Sequence, residues 1–211
     1  MNQRAMTKPI RTSSKTFTAL ALAGLLSLSA CGGTGDGGNA PEQPPLAGAA
    51  IGGPFTLVDK NGATVKWSDF AGHYRIVYFG YTFCPDACPT DVAVTMRGLD
   101  LYAKTHAREA DALRPIFISI DPARDTPKVV GEFAAAFSPR LIGLTGTAAQ
   151  VDQAAKGFAA YYARGKNTGG GYLMDHSRIA YLMGPKGEPI TMLPVDKGAQ
   201  AVADDLAHWV K

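Results

Sequence analysis

The sequence predicts an α/β fold in which helices cover both faces of a mixed central β-sheet. Two runs of β-branched and aromatic residues, at 74–79 and 115–120, are typical of buried central strands. Segments with helical spacing of apolar residues follow both runs, and the chain closes with a hairpin and a helix. This alternation predicts a three-layer α/β sandwich, here with an added N-terminal hairpin.

Turn and cap residues mark where the predicted elements begin and end. Asn61-Gly62 lies in the turn of the N-terminal hairpin. Pro127 suits the first position of a helix, and Thr147 suits an N-cap. In chain order, the sequence predicts strands at 55–59 and 63–66, a helical turn at 67–70, a strand at 74–79, a helix over 90–106, a strand at 115–120, a helix from 126, a strand at 141–144, a helix over 147–158, strands at 177–183 and 190–193, and a helix over 199–210.

Residues 1–30 are predicted to form a lipoprotein signal peptide. A basic and polar segment precedes the apolar run 17–30, which is shorter than the roughly 20 residues that a membrane span needs. The run leads into Leu28-Ser29-Ala30-Cys31, which resembles a bacterial lipobox, so we expect lipidation of Cys31. The alternatives are an ordinary signal peptide and an uncleaved anchor, which would leave the domain on the same side of the membrane.

Residues 31–50 are rich in Gly, Pro and Ala and predict a flexible tether. It would join the lipid to a globular domain at 51–211, on the periplasmic or extracytoplasmic side of the cell membrane. Thiols are not kept reduced there by default. The formal net charge of +3 comes from basic residues of the leader, which contains no acid. The nearly neutral body excludes nucleic acid as a partner, because such binding needs a basic face.

A pair of cysteines, Cys84 and Cys88, lies between the first buried strand and the following helix. A strand, a cysteine-containing loop and a helix in this order predict a thioredoxin-like arrangement. Pro89 disfavours helical geometry at the preceding residue, so we expect Cys88 to cap the helix. Unpaired N–H groups at a helix N-terminus stabilise thiolates, which are both nucleophiles and soft-metal ligands.

The Cys-x3-Cys spacing leaves both metal binding and a disulfide open. In an ideal helix, Cβ atoms four residues apart are separated by roughly 5–6 Å, whereas a disulfide needs roughly 3.5–4.5 Å. A non-helical loop would allow the disulfide. His176, directly before a predicted strand, is the best third ligand. Two thiolates and one imidazole favour copper, with zinc second, because a closed structural zinc site needs a fourth ligand.

Three blocks, in order along the chain, closely resemble the signature of the Sco/SenC family. The resemblance runs from about residue 51 to the end and implies a thioredoxin-like fold and a site for Cu(I) or Cu(II). It implies that Cys84, Cys88 and His176 are the ligands. It also implies a role in assembling the binuclear CuA centre of cytochrome c oxidase, by copper delivery or by keeping that centre's cysteines reduced. The blocks are GYTFCPDACP at 80–89, SIDPARDTP at 119–127, and DHS at 175–177 followed by YL at 181–182 and GPKG at 184–187.

Three acidic residues lie inside these blocks. We expect Asp86 to tune the thiolates or to face a partner. Asp121 and Asp125 fit a turn and a helix start, and docking of a partner is the alternative role for them.

A copper metallochaperone, rather than an enzyme, is the leading functional hypothesis. Its expected partners are the CuA subunit of the oxidase, a periplasmic copper donor or thiol reductant, and the membrane through the lipid. The alternative is a thiol–disulfide oxidoreductase in which Cys84 or Cys88, as a redox-active pair, attacks a client disulfide. Thioredoxin-like oxidoreductases generally carry a cis-proline beside the active cysteines. This chain has Met174-Asp175 at that place, which favours metal binding.

Overall fold

The computed structural model describes residues 42–167 and 171–211. The predicted signal peptide, Cys31 and the first part of the tether lie outside the described residues. The rest of the tether contacts the domain: the Leu46 N–H donates to the Ile190 carbonyl (3.0 Å), and Glu42 lies 3.1 Å from His208. None of the helices in the described ranges is long and apolar enough to span a bilayer.

Strands and helices alternate along the described chain. The strands are β1 (Thr56–Val58), β2 (Thr64–Lys66), β3 (Tyr74–Gly80), β4 (Leu113–Ser119), β5 (Ile142–Leu144), β6 (Tyr162–Arg164), β7 (Met174–His176), β8 (Ala180–Met183) and β9 (Pro189–Leu193). The α-helices are α1 (Ala87–Ala103), α2 (Ala107–Asp111), α3 (Pro127–Phe137), α4 (Ala148–Gly157) and α5 (Ala199–Trp209), and 3₁₀ turns span Trp67–Phe70 and Val195–Lys197.

A five-stranded mixed sheet in the order β5-β4-β3-β8-β9 forms the centre of the domain. β3 pairs in parallel with β4, and β4 with β5, whereas β8 runs antiparallel to β3 and β9. Nearly all residues of β3 and β4 are buried, so both faces of the sheet are covered. β1 and β2 form the N-terminal hairpin. The predicted thioredoxin-like α/β sandwich with a mixed sheet and an added hairpin is confirmed.

The helix that carries Cys88 begins earlier than the sequence predicts. α1 starts at Ala87 with Asp86 as its N-cap, so the predicted start near Thr90 is wrong. Cys88 therefore lies in the first helical turn and does not cap the helix. Pro89 is tolerated there because the N–H groups of a first turn have no intrahelical partner to lose.

Two other helix starts are confirmed, and two elements were not predicted. The hydroxyls of Thr126 and Thr147 accept hydrogen bonds from the N–H groups three residues later, at 3.3 Å each. The short helix α2 and the hairpin β6–β7 are absent from the prediction. This hairpin forms a two-stranded sheet of its own and carries His176 at its end. The structure thus places His176 within a strand, not before one.

Candidate metal centre

The three sequence-predicted ligands meet at the end of β3. Cys84 lies in the loop after β3, Cys88 in the first turn of α1, and His176 at the end of β7. Their ligand atoms all lie within 4.8 Å of one another. Cys88 Sγ is 3.1 Å from His176 Nε2, and both thiols are free.

The spacing of these atoms matches the size of a small soft metal ion. Zinc, a comparable ion, bonds to cysteine sulfur and histidine nitrogen at roughly 2.0–2.3 Å. Two ligand atoms on one such ion are therefore at most roughly 4.6 Å apart. The group lies within 4.8 Å, so small side-chain rotations bring all three atoms onto one ion. Two sulfurs and one imidazole make this a soft ligand set.

Gly80 allows the sulfur of Cys88 to approach the end of β3. A Cβ atom placed on Gly80 would lie 3.0 Å from Cys88 Sγ and 2.9 Å from the rings of Tyr78 and Phe117. These distances are shorter than ordinary carbon contacts. Any larger residue at position 80 would therefore collide with Cys88 and the two rings.

The ring of His176 is oriented by one hydrogen bond and two aromatic neighbours. Its Nδ1 lies 2.9 Å from the carbonyl oxygen of Ser177. Because a carbonyl can only accept, Nδ1 carries the proton, and the lone pair of Nε2 points to the sulfurs. The rings of Tyr78 and Tyr81 meet the imidazole edge-on, at centroid distances of 6.2 and 5.9 Å. The ring of His176 is thus oriented with Nε2 toward the sulfurs.

The thiol of Cys84 is the more acidic of the pair. Partial burial of the Cys84 thiol raises its pKa. Hydrogen bonds to its sulfur lower the pKa by more than burial raises it; they come from the Cys88 and Asp86 N–H groups, the Cys88 thiol and the Tyr81 hydroxyl. The net pKa of Cys84 lies below the ordinary thiol value. The Cys88 N–H lies 3.3 Å from the Cys84 sulfur, as the start of a helix allows.

The thiol of Cys88 has the opposite environment. Its side chain is fully buried, and burial raises the pKa of Cys88 well above the ordinary thiol value. Negative charge at Cys84 raises the pKa of Cys88 further, so the pair resists double ionisation in the absence of a metal. A bound cation would offset both the cost of burying a charged Cys88 and its repulsion by a charged Cys84, because it neutralises charge at the sulfurs.

Asp125 and Asp121 support the loops around the site from inside the protein. Asp125 is fully buried and accepts hydrogen bonds from the Thr82 N–H (3.0 Å), the Thr82 hydroxyl (2.5 Å) and the Ser119 hydroxyl (2.5 Å). It therefore fixes the start of the cysteine loop. Asp121 is also buried, whereas Asp86 is exposed at the start of α1. Of the three carboxyl groups, that of Asp86 is the accessible one.

Asp121 belongs to a cluster that holds the loop of the β6–β7 hairpin. It accepts hydrogen bonds from Arg124 Nε (2.5 Å) and the Tyr172 hydroxyl (2.7 Å). Arg124 also donates to the Tyr172 carbonyl (2.9 Å), and its guanidinium lies 3.7 Å from the centre of the Tyr172 ring. These contacts tie the hairpin to the loop that follows β4.

Sequence reasoning missed four residues that surround the ligands. Tyr78 and Tyr81 flank His176, and Asp91 pairs with Arg178 beneath the site. Tyr78 is part of a buried strand run, so its sequence context indicated only core packing. Asp91 follows Cys88 by three residues, which on a helix is the same face. That spacing was the available signal for Asp91.

Comparison with known sequences identifies the family. A family model described as SCO1/SenC matches residues 43–211. SenC of Rhodobacter capsulatus is 43% identical over 164 residues, covering 78% of this chain and 72% of that protein. The human mitochondrial SCO1 homolog is 37% identical over 177 residues, covering 81% of this chain and 56% of its own length. The chain thus spans about half the length of the human relative.

Solved structures of relatives share the fold. The copper-bound structure of ScoI from Bradyrhizobium japonicum matches with a TM-score of 0.68 at 34% identity, covering 76% of this chain and 99% of that one. BsSco matches with a TM-score of 0.58 at 25% identity, covering 80% and 97%; it is described as having a disulfide switch and as a member of the Sco family of cytochrome c oxidase assembly proteins. With a match over most of its length and three convergent ligand side chains, this chain belongs to the SCO1/SenC family.

Proposed function

We propose that this chain binds one copper ion through Cys84, Cys88 and His176 and delivers it to the CuA centre of cytochrome c oxidase. The observation that carries the proposal is the convergence of two sulfurs and one imidazole nitrogen within 4.8 Å. Copper is favoured over harder ions because thiolate and imidazole are soft ligands. The copper-bound ScoI relative adds support for the same ion.

The site has the properties of a transfer site. It offers three ligands, and Cys84 and His176 are only partly buried, so an incoming ligand of a partner can reach the ion. Cu(I) would be held by the two sulfurs with His176 as the third ligand, and Cu(II) would recruit an oxygen ligand as well. Copper would leave by stepwise ligand exchange with the receiving site.

An anaerobic competition titration with Cu(I) tests the binding step. The full chain carries Cys31→Ser, so that two thiols remain, and is compared in detergent with a variant that also carries His176→Ala. Loss of a residue that merely orients a ligand costs about 10–100-fold in metal affinity, so removing the ligand itself should cost at least about 100-fold. Weak binding by the parent, or binding indifferent to His176→Ala, would contradict the proposal.

Thiol–disulfide exchange is the second candidate function. It is supported by the lowered pKa of Cys84, which favours a nucleophilic thiolate, and by the disulfide switch described for BsSco. In this function the reduced pair would attack the disulfide of an oxidised CuA site. The Cys84–Cys88 disulfide would form as the client's two thiols are released.

His176→Ala separates the two functions. The chain is mixed either with copper-free CuA domain in its reduced form or with the same domain oxidised. Copper delivery predicts that the variant loses copper transfer, read from the copper content of the CuA domain after the two proteins are separated. Thiol exchange predicts that the variant still releases two client thiols at the parent rate.

The N-terminal region would keep this activity at the membrane. A lipid on Cys31, with the tether after it, would hold the domain at 51–211 beside a membrane-bound oxidase on the extracytoplasmic side. Such tethering raises the effective concentration of donor and client. Mass spectrometry of the mature N-terminus tests the lipid directly. A periplasmic copper donor would reload the site after each copper transfer, and a thiol reductant would reduce the Cys84–Cys88 disulfide after each thiol exchange.

A further inference from the structure

The position of His176 relative to the two sulfurs depends on side-chain contacts. Cys84 follows β3 and Cys88 lies in the first turn of α1, and both elements belong to the central part of the fold. His176 ends β7, which pairs with β6 in a separate two-stranded sheet. The central sheet next pairs this segment at Ala180, opposite Tyr78 in β3. The segment between His176 and Ala180 has no pairing in the central sheet, so the sheet alone does not fix the distance from His176 to the cysteines.

An ion pair joins these two parts of the molecule beside the site. Asp91 lies on α1, three residues after Cys88 and therefore on the same face. Arg178 follows His176 by two residues, in the link between β7 and β8. Arg178 Nη2 lies 2.7 Å from Asp91 Oδ1, and Arg178 Nε lies 3.0 Å from Asp91 Oδ2. The pair bridges the helix that bears Cys88 and the segment that bears His176.

The geometry of this pair restricts both distance and orientation. Asp91 is 1% exposed, so its carboxylate depends on the guanidinium for compensation of its charge. The two parallel N–H···O bonds use the planar fork of arginine, which a lysine ammonium does not reproduce. The pair therefore acts as a geometric restraint as well as a charge pair.

Tyr78 extends the restraint to the imidazole itself. Its hydroxyl donates to Asp91 Oδ2 (2.9 Å), and its ring meets the ring of His176 edge-on. Asp91 thus contacts two residues that are linked to His176. Arg178 is linked to His176 through the backbone, and Tyr78 through the contact between the two rings. Both links restrict the position of the His176 ring.

We propose that Asp91 and Arg178 are positioning residues that hold His176 within bonding distance of the copper bound by Cys84 and Cys88. The pair acts on the third ligand and leaves the two sulfurs unchanged. This inference rests on the proposed Cys2His copper site and adds the residues that determine its geometry. It predicts that the pair contributes to copper affinity only when His176 is present.

A double-mutant cycle tests this dependence in the full chain with Cys31→Ser, in detergent. Arg178→Lys keeps a positive charge near Asp91, so the charge of the buried carboxylate stays compensated. It removes the planar guanidinium that makes two parallel hydrogen bonds. Asp91→Asn combined with Arg178→Gln removes both charges and leaves neither unpaired. Each is made with His176 and with His176→Ala. Arg97→Gln, on the exposed face of α1, is the control for replacing an exposed arginine by glutamine away from the pair.

The readout is Cu(I) affinity by anaerobic competition, with circular dichroism to verify folding. Both pair variants should bind Cu(I) about 10–100-fold more weakly than the parent, and Arg97→Gln should not. In the His176→Ala background the same changes should alter affinity by less than about twofold, since the ligand that they position is gone.

Two results would overturn the positioning role. One is an equal loss of affinity with and without His176, which would assign the pair to the sulfurs or to the fold. The other is unchanged affinity in both pair variants. If the parent itself binds no Cu(I), or His176→Ala binds as tightly as the parent, the copper proposal fails together with this one. The Cu(I) titrations of the parent and of His176→Ala show this failure before any variant of the Asp91–Arg178 pair is compared.

Discussion

At the residue scale, the two cysteines have different roles although they lie four positions apart. Cys84 is partly exposed, and hydrogen bonds to its sulfur lower its pKa. Cys88 is buried against Gly80 and the aromatic residues at the end of β3, and burial raises its pKa. The site therefore combines one accessible, more acidic thiol with one sheltered thiol. This asymmetry suits stepwise ligand exchange, in which Cys84 is reached first.

Alkylation kinetics should reveal this asymmetry in the reduced, metal-free chain. We expect iodoacetamide to modify Cys84 at least about tenfold faster than Cys88, because the reaction needs an accessible thiolate. The rate at Cys84 should reach half its plateau at a lower pH than the rate at Cys88, because hydrogen bonds to the Cys84 sulfur lower its pKa and burial raises the pKa of Cys88. Peptide mapping by mass spectrometry assigns each site. Faster modification of Cys88 would contradict this account.

Replacement of Asp125 should destabilise the fold although the residue touches none of the three ligands. Asp125→Ala removes the acceptor for Thr82 and Ser119 in the protein interior. Hydrogen bonds to charged groups contribute about 1.5–3 kcal/mol each, so we expect a loss of about 3 kcal/mol or more in the free energy of unfolding. Urea denaturation measures it. Asp100→Ala, on the exposed side of α1, is the control and should change stability by less than about 0.5 kcal/mol.

At the element scale, the fold was predictable where elements are long and strongly patterned. β3, β4, α3 and α4 follow from dense apolar runs, Thr126 and Thr147 caps, and Pro127. The hairpin β6–β7 was not predictable, because each strand has three residues and a glycine-rich segment separates them. The predicted start of α1 is too late because it places Pro89 at the first helical position. A proline in the first turn costs no hydrogen bond, so the helix can begin before it. The grouping of Cys84, Cys88 and His176 was predictable, but the partners of His176 depend on the tertiary arrangement.

The β6–β7 hairpin should open more readily when its contact with Asp121 is weakened. Tyr172→Phe removes the hydroxyl that donates to Asp121 and keeps the ring against Arg124. Hydrogen–deuterium exchange should become faster at 162–164 and 174–176, with the amides of β3 and β4 unchanged. Uniform acceleration across the domain would indicate global destabilisation and contradict a local role. Tyr161→Phe, at an exposed ring, is the matched control.

At the scale of the whole molecule, the last residues of the predicted tether contact the domain. Residues 43–50 fall within the family match, and Leu46 packs partly against the core. The Leu46 N–H also donates to the Ile190 carbonyl in β9. Composition alone indicates a flexible linker in this region, because a single apolar contact inside a Gly/Pro-rich segment has no periodicity to detect. The contacts of Leu46 therefore place it with the domain rather than with a free linker.

Truncation measures how much the end of the tether contributes. A chain that begins at Ile51 should be less stable than one that begins at Glu42 by about 1–2 kcal/mol, for the lost burial of Leu46 and its hydrogen bond. Urea unfolding of the two chains gives the difference. Leu46→Ala in the longer chain should reproduce part of that loss. Equal stability of all three would place the domain start at Ile51.

The proposed copper site consists of two sulfurs and one imidazole nitrogen. X-ray absorption of the Cu(I)-loaded chain, with Cys31→Ser, identifies the atoms bound to the metal. We expect two sulfur neighbours and one nitrogen neighbour per copper, with the nitrogen lost in His176→Ala. A copper ion without sulfur neighbours, or a spectrum unchanged by His176→Ala, would contradict it.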